Sequence, residues 1–296
     1  MKILLLGKNG QVGYELQRTL LPLGKLVAMG RNEADLADLA HLENVLSAQT
    51  PNIIVNAAAY TAVDKAESDQ ANANKINGEA VGVLAEYARR NHALFVHYST
   101  DYVFDGQKNQ AYLETDAVAP QSVYGQSKQA GEALILESQC AALVFRTSWV
   151  YSAHGNNFVK TMLRLARERD NLSIVADQFG APTSAELIAD VTALAIAAYG
   201  RQAIASGLYH LTAAGKTSWH GLAAHVLQRA SDNGVRMKIT SNTLHAIPTE
   251  QYPLPARRPQ NSCLDTRKLS AALGLELPDW ILHANRTIDQ LTLGNT

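Results

Sequence analysis

The sequence predicts an α/β protein built on a doubly wound parallel sheet, with a smaller C-terminal lobe. Short apolar runs alternate with longer stretches in which apolar residues recur every three or four positions. The short runs lack alternating polar residues, which is typical of strands covered by helices on both faces. After about residue 150 this alternation becomes irregular. Repeated strand–helix–strand units of this size form parallel sheets with right-handed crossovers.

Each element is predicted from its own periodicity. The predicted strands span residues 3–6, 26–29, 53–56, 94–99 and 143–147, and the helices between them span residues 12–21, 39–48, 76–90 and 128–137. Later helices are predicted at residues 158–168, 185–199 and 219–230. A proline-bearing segment, 248–259, predicts a surface loop.

Composition narrows the class of protein. The 296 residues are 47% hydrophobic, enough to bury a full core, and the formal net charge of −1 argues against a nucleic-acid partner. The apolar stretch at the N-terminus is too short for a signal peptide, and no apolar run is long enough to span a membrane. Two cysteines cannot form a disulfide framework. We therefore expect a cytoplasmic protein without a membrane partner.

A glycine-rich turn follows the first predicted strand. Gly7, Gly10 and Gly13 stand in a G-x-x-G-x-x-G spacing that opens the first helix, with Gln11 and Val12 inside it. Glycines let backbone N–H groups approach a pyrophosphate at a helix N-terminus, although a tight turn that binds nothing has the same spacing. We expect residues 1–150 to form a Rossmann-like dinucleotide-binding domain whose sheet later segments rejoin. Residues 151–296 should form most of a substrate-binding lobe.

The end of the second predicted strand bears on the choice of dinucleotide. An acidic residue at this place binds the ribose of NAD, whereas an arginine can face the 2′-phosphate of NADP. Here the chain has Gly30 and Arg31, with Lys8 adding positive charge nearby, so we predict NADPH and keep NADH as the alternative. Asp35 and Leu36 are predicted beside the adenine. Arg31 could equally be an ordinary solvated loop residue.

A Tyr-x-x-x-Lys pair, Tyr124 and Lys128, predicts proton-transfer chemistry. Residues four apart on a helix lie on one face, where an ammonium would lower the pKa of a phenol toward neutrality. Upstream, Ser99-Thr100-Asp101-Tyr102 ends a predicted strand. The carboxyl ends of parallel strands are where such sheets place their sites.

Together these motifs resemble one enzyme family. The glycine loop, Asn-Ala-Ala-Ala at 56–59, Ser-Thr-Asp-Tyr-Val-Phe-Asp-Gly at 99–106 and Tyr-Gly-x-Ser-Lys at 124–128 are similar to the extended short-chain dehydrogenase/reductase superfamily. Segments 145–151, 155–158, 177–183 and 258–262 narrow the resemblance to the dTDP-4-dehydrorhamnose reductases. That family implies reduction of the C4 ketone of a dTDP-linked 6-deoxyhexose, dTDP-4-dehydro-L-rhamnose, by NADPH.

The resemblance also implies roles for individual residues. Tyr124 would donate the proton, Lys128 would tune it and hold the nicotinamide ribose, and Thr100 would bind the reacting oxygen. The residues implied at the cofactor phosphates are Gly10, Gln11 and Val12, with Ala59, Tyr60 and Thr61 beside them. Those implied at the sugar are Asp101 and Trp149. Two alternatives involve no sugar: Trp149 could be a residue of the hydrophobic core, and Asp101 could cap a turn.

Magnesium is doubtful. Some members of the family are linked to this ion through glutamates near a dimer interface, and Glu15 and Glu186 match two of those positions. The third position reads Asp289-Gln290 here, and a neutral amide is a poor substitute for a carboxylate. We therefore assign no metal site, keep magnesium binding at Glu15 and Glu186 as an alternative, and keep a homodimer among the expectations.

Two other functions remain as alternatives. A sugar-nucleotide epimerase or dehydratase shares the fold and motifs. The strand-end motif of related dehydratases, however, resembles Ser-Thr-Asp-Glu, and this chain has Tyr102 in the place of the glutamate. A non-catalytic NADP-binding regulatory subunit is the second alternative, because a related family resembles a subunit of that kind. Stoichiometric consumption of NADPH by the isolated protein would separate the reductase from both.

Overall fold

The computed structural model describes residues 1–293 and contains a central parallel sheet. The sheet has six strands in the order β10-β5-β4-β3-β1-β2. Their bounds are β1 (Lys2–Leu6), β2 (Lys25–Met29), β3 (Ile53–Asn56), β4 (Leu94–Thr100), β5 (Ala142–Thr147) and β10 (Gly207–His210). The order reverses between β1 and β3, so the carboxyl ends of these strands flank the crevice where such sheets bind ligands.

Six short strands form three smaller pairs. β6 (Val150–Tyr151) pairs in parallel with β9 (Thr183–Ser184), and β7 (Leu172–Val175) pairs in parallel with β12 (Leu244–Ile247). β8 (Phe179–Gly180) pairs antiparallel with β11 (Thr217–Ser218). All three pairs belong to the part of the chain after residue 149.

Helices cover both faces of the central sheet. Those of the first half are α1 (Gln11–Thr19), α2 (Leu39–Gln49), α3 (Val63–Ala66), α4 (Gln70–Asn74), α5 (Ala80–Arg90) and α6 (Val123–Ser138). The second half has α7 (Phe158–Glu168), α8 (Ala185–Gly200), α9 (Trp219–Asp232), α10 (Arg267–Leu273) and α11 (Trp280–Leu293). None of the helices within residues 1–293 has the length and apolarity needed to cross a membrane.

The two faces of the sheet pack against separate cores. Ile3 and Leu5 of β1 belong to one core, whereas Leu4 and Leu6 belong to the other, because side chains alternate along a strand. All four side chains are fully buried. The predicted doubly wound α/β class is therefore confirmed.

Several boundaries differ from the predictions for local reasons. α6 begins at Val123, five residues before the predicted start, because the Ser122 hydroxyl accepts from the Gly125 N–H and caps the helix. A π-helical turn, Lys75–Glu79, precedes α5, and a 3-10 turn carrying Pro22 follows α1. β10 comes from the second half of the chain and completes an edge of the main sheet.

Candidate active site

The glycine loop is shaped by close backbone approaches. Gly7 has a φ of +85°, and a Cβ there would lie 2.6 Å from the Ala58 nitrogen. A Cβ on Gly13 would lie 2.0 Å from the Gly7 carbonyl oxygen. Gly10 is the N-cap of α1 without a side-chain cap, and no acidic residue stands in the first turn. The N–H groups there are therefore free to bind an anion.

A cavity of about 510 Å³ opens above this loop. Its lining includes most of the predicted cofactor residues, namely Gly7, Gly10, Gln11, Val12, Arg31, Asp35, Leu36, Ala59, Thr61, Tyr124 and Lys128. Gly13 and Tyr60 lie outside the lining, and the Tyr60 hydroxyl donates to Asp69 at 2.9 Å. We call this space the glycine-loop cavity. The uncapped helix and the close backbone approach at this cavity fit a dinucleotide.

The charges around Gly30, after β2, differ from the expectation that both Arg31 and Lys8 add positive charge there. Arg31 is exposed and makes no side-chain hydrogen bond or ion pair within the described residues. Lys8, expected to add positive charge, instead forms an ion pair with Glu33. Glu33 also accepts from the Gly30 N–H at 2.6 Å, and the bond from Lys8 lowers the pKa of its carboxyl. The expected contribution of Lys8 is therefore largely neutralised, and Arg31 remains the free cation beside Gly30.

Asp35 and Leu36 have local structural partners. The Asp35 carboxylate accepts from the Ala37 N–H at 2.9 Å, which fixes the turn before α2. Leu36 is buried in the core beneath the loop. Both residues line the cavity, so these contacts would support an adenine pocket without occupying it.

The Tyr-x-x-x-Lys pair lies beside the end of β4. Tyr124 stands in the first turn of α6, Lys128 follows one turn later, and Thr100 ends β4. Burial raises the pKa of Tyr124 to about 12, even though a hydrogen bond with Thr100 favours the phenolate. The nearby Asp101 carboxylate raises this pKa further. The structure thus brings the three predicted catalytic residues together, with Tyr124 held in its proton-bearing form.

Lys128 is buried beside His97. Its side chain is only 2% exposed, and Nζ lies 3.1 Å from Nε2 of His97. Burial lowers the pKa of Lys128 to about 8, with Glu132 acting in the opposite direction. Burial raises the pKa of Tyr124 and lowers that of Lys128, so burial acts against the expected pull of Lys128 on the Tyr124 pKa, and that expectation stays a prediction.

Asp101 is buried directly beside Thr100. One carboxylate oxygen lies 3.1 Å from the Thr100 hydroxyl, while Oδ2 is buried without a hydrogen-bond partner. Burial raises the pKa of Asp101 to about 6, against the effect of hydrogen bonds from Ser262 and Thr100. A half-satisfied buried carboxylate at a strand end is a group prepared for a polar ligand.

Trp149 has a strained backbone and an aromatic support. Its φ of +50° is unusual for a bulky side chain and is typical of functional positions. The indole stacks on Trp219, with ring centroids 3.6 Å apart and planes within 9°. A Cβ at Gly180 would lie 2.7 Å from the Trp149 ring, so glycine leaves the space this ring occupies. Trp219 was not predicted from the sequence, since it lies 70 residues from Trp149 with no motif around it.

A second cavity, of about 570 Å³, lies near the Tyr102 end of the site. Its lining includes Arg257 and Arg258, and we call it the arginine cavity. Arg258 forms a two-pronged ion pair with Asp64, at 2.7 and 3.0 Å. Tyr102 does not line the cavity, but Arg258 lies close enough to oppose the rise that burial causes in the pKa of the Tyr102 hydroxyl. The Tyr102 ring packs edge-on against Tyr124 with centroids 5.5 Å apart. The lining also contains the acidic residues Asp105 and Glu250, and the cavity had no role in the sequence predictions.

The two glutamates considered for magnesium have other neighbours. Arg286 donates from Nε to Glu186 at 2.9 Å, and the Gln290 amide lies 3.4 Å from the same carboxylate. Asp289 instead forms an ion pair with Arg229. Burial and the Glu186 charge raise the pKa of Glu15. Across residues 1–293, no group of three or more His, Cys, Asp or Glu side chains is arranged to hold a metal ion.

Comparison with known proteins identifies the family. Residues 1–293 match the family described as the RmlD substrate binding domain. A dTDP-4-dehydrorhamnose reductase of Burkholderia thailandensis is 52% identical over 286 residues, 95% of each chain. The crystal structure of a dTDP-4-dehydrorhamnose reductase from Clostridium acetobutylicum superposes with a TM-score of 0.90 at 34% identity, covering 98% of this chain and 99% of that one.

A second solved structure is that of the Bacillus anthracis dTDP-4-dehydrorhamnose reductase in complex with NADP. It has a TM-score of 0.87 and 32% identity, with 98% of this chain and 99% of that chain covered. Full-length similarity of sequence and fold agrees with the motifs that line the site. The chain therefore belongs to the dTDP-4-dehydrorhamnose reductase family.

Proposed function

We propose that this protein reduces the C4 ketone of dTDP-4-dehydro-L-rhamnose to dTDP-L-rhamnose, the last step of dTDP-rhamnose synthesis, with NADPH as the reductant. The observation that carries the proposal is the placement of Thr100, Tyr124 and Lys128 together, at the carboxyl edge of the sheet and beside the glycine-loop cavity. The names of the relatives support the choice of sugar nucleotide.

The residues of this chain supply the proton and hold the reactants. NADPH, when bound, supplies the hydride. Tyr124 carries its proton at neutral pH, because its pKa is about 12, and it donates that proton to the substrate oxygen as negative charge develops there. Thr100 binds the same oxygen and orients it toward the phenol. Lys128 holds the cofactor ribose from the wall of the cavity.

NADPH is the proposed reductant because of Arg31. An unpaired guanidinium beside Gly30 can bind a 2′-phosphate through charge-assisted hydrogen bonds. The relative from Bacillus anthracis was solved with NADP, which supports this choice. We propose that Gly10, Gln11 and Val12 surround the phosphates, with Ala59 and Thr61 beside them.

The sugar nucleotide is assigned to the opposite side of the cleft. Arg257 and Arg258 line the arginine cavity, and guanidinium groups suit the diphosphate of a nucleotide sugar. Trp149 presents a large flat surface of the kind that packs on a sugar ring or base, while Asp101 can accept from a sugar hydroxyl. Tyr124 would then lie where the two reactants meet.

The decisive assay uses the purified protein with dTDP-4-dehydro-L-rhamnose and either NADPH or NADH. We expect one NADPH consumed for each dTDP-L-rhamnose formed, with slower turnover on NADH. An epimerase would convert sugar without net consumption of the cofactor, and a regulatory subunit would bind NADPH without turnover. Either outcome would contradict the proposal.

Three broader expectations remain as proposals. Residues 1–150 would form most of the dinucleotide-binding domain and residues 151–296 most of the substrate-binding lobe, although β10 and α8 pack onto the first half. A cytoplasmic location agrees with the two cysteines, Cys140 and Cys263, which are both free thiols. A homodimer without magnesium would appear as a doubled mass in solution that survives chelation.

A further inference from the structure

A buried chain of polar groups runs from β3 to the catalytic helix. Asn56 Nδ2 lies 3.3 Å from His97 Nδ1, and His97 Nε2 lies 3.1 Å from Lys128 Nζ. Asn56 and His97 are direct neighbours in the register of β3 and β4. All three side chains are at most 2% exposed. Neither His97 nor Asn56 has a role in the function proposed above.

The orientation of Asn56 is fixed by the backbone. Its carbonyl oxygen Oδ1 accepts from the Ala58 N–H at 3.1 Å, so its amide group must face His97. An amide NH₂ group is only a donor, and His97 Nδ1 must therefore act as the acceptor. Burial and the Lys128 charge keep the pKa of His97 well below its usual range, so the ring is neutral. A neutral ring that accepts at Nδ1 carries its proton on Nε2.

This tautomer has a consequence for Lys128. A protonated Nε2 is a donor, and it pairs well with the lone pair of a neutral amine. An ammonium at the same place would set donor against donor, and it could be accommodated only by changing the ring tautomer against the Asn56 amide. The network therefore stabilises the lysine after it has given up a proton.

We propose that His97, locked in its Nε2–H tautomer by Asn56, is a positioning residue that orients the Lys128 amine and favours its uncharged form. The proposal deepens the function proposed above and rests on it. The Lys128 ammonium is the form that holds the cofactor ribose and balances the negative charge left on Tyr124 after its proton passes to the substrate oxygen. When Lys128 is uncharged, its amine accepts a hydrogen bond from His97, so this network sets the pH above which the lysine charge is lost.

Other charged groups near the Asn56–His97–Lys128 network also shift the pKa values of Lys128 and Tyr124. Glu132, one turn further along α6, raises the pKa of Lys128, and burial lowers it to about 8. Asp101, on the turn after β4, raises the pKa of Tyr124. Glu132 is itself held by Arg146 of β5 in an ion pair at 2.6 Å, which limits its effect. A lysine pKa near 8 agrees with a group that exchanges its proton readily near neutral pH.

The tautomer can be measured directly by NMR of protein labelled with ¹⁵N-histidine. We expect the His97 ring to stay neutral from about pH 5.5 to 9, and to carry its proton on Nε2 at pH 9. A ring protonated on Nδ1 at pH 9, or one that titrates in this range, would overturn the proposal. The His97→Gln variant assigns the signals. If it does not fold, single substitutions of the other eight histidines identify their signals, and that of His97 follows by elimination.

The role of His97 in catalysis is tested with a variant that favours the opposite ring tautomer. In Asn56→Asp the carboxylate can accept from Nδ1–H, which leaves Nε2 as an acceptor for the lysine ammonium. We expect the alkaline limb of the kcat–pH profile to move up by about one pH unit, a tenfold change in proton affinity, with little change in the sugar KM.

The control places the same substitution in a His97→Leu background, where the carboxylate has no ring to act through. There we expect less than half of the shift. An equal shift in both backgrounds, or none in either, would mean that His97 is only a packing residue. The NMR measurement needs no sugar substrate, so its failure is distinguishable from failure of the reductase assay.

Discussion

The two sides of the cleft are built from different materials. On the glycine-loop side, the surface is mainly backbone: Gly7 and Gly13 leave no room for a side chain, and α1 begins without a side-chain cap. On the opposite side, the surface consists of side chains held by other side chains, as Trp149 is by Trp219 and Arg258 by Asp64.

The difference follows from what each side has to bind. A pyrophosphate is recognised by N–H groups at short range, which any sequence with glycines in the right places can supply. A sugar nucleotide offers a particular set of hydroxyls, charges and flat surfaces, and only side chains can match them. Substitutions on the two sides should therefore separate cofactor binding from sugar binding, with Tyr124 affecting neither.

The largest effect is expected at Tyr124, where the two sides meet. Tyr124→Phe keeps the ring but deletes the proposed proton donor, so kcat should fall by about 10²–10⁴ while NADPH affinity stays nearly constant. Initial rates at saturating NADPH and a binding titration measure the two quantities. Tyr102→Phe is the matched control, because this neighbouring ring loses a hydroxyl without a catalytic role, and its kcat should change by less than about tenfold. Near-normal turnover in Tyr124→Phe would show that the proton comes from another group.

A single added methyl group should disrupt cofactor binding on the glycine-loop side of the cleft. Gly13→Ala places a Cβ 2.0 Å from the Gly7 carbonyl oxygen, which must distort the loop. We expect NADPH affinity to fall by about a hundredfold, with dTDP binding nearly unaffected, as calorimetry can measure. Gly200→Ala is the control, since nothing lies within 4 Å of its new Cβ. Equal losses for NADPH and dTDP would show that the two sides are not independent.

Arg31→Ala should sharpen the account of the cofactor. The guanidinium is exposed and unpaired within the described residues, so its removal leaves the fold intact. A charge-assisted contact contributes about 1.5–3 kcal/mol, so NADPH should bind roughly tenfold to a hundredfold more weakly, while NADH affinity stays constant. Dissociation constants for both cofactors decide the matter. The assignment fails if both affinities drop together or if neither changes.

The smallest effect is expected on the side of the cleft opposite the glycine loop, which is built from side chains. Trp219→Leu removes the stack behind Trp149, and an aromatic pair of this kind contributes about 0.5–1.5 kcal/mol. The sugar KM should therefore rise by up to about tenfold, with NADPH affinity and kcat nearly unchanged. Trp280→Leu, at a tryptophan that packs against His225, is the control and should leave the sugar KM constant. A lower NADPH affinity in Trp219→Leu would contradict the separation of the two sides.

The fold and the backbone side could be predicted from the sequence because their signals are local. The strand at Ile53–Asn56 matches its prediction, and the glycine spacing, the Tyr-x-x-x-Lys pair and Arg31 are each recognised within a few residues. The start of α6 was missed because its cap, Ser122, lies in a segment without apolar periodicity.

The rest of the site depends on distant contacts. His97 reaches Lys128 only through the packing of β4 against α6, and nothing in the apolar run around His97 indicates a partner. Trp219 and Arg258 lie far along the chain from Trp149 and Asp64. The ion pair between Lys8 and Glu33 was missed because its partners lie on two separate turns, at the ends of β1 and β2.

The most direct test of the central claim follows the hydride itself. The protein is incubated with dTDP-4-dehydro-L-rhamnose and NADPH deuterated on the transferred position of nicotinamide C4, and the product is examined by NMR. The account predicts one deuterium at C4 of the rhamnose ring and none elsewhere, with the new hydroxyl proton drawn from Tyr124. Deuterium at another carbon, or a product without deuterium, would contradict it.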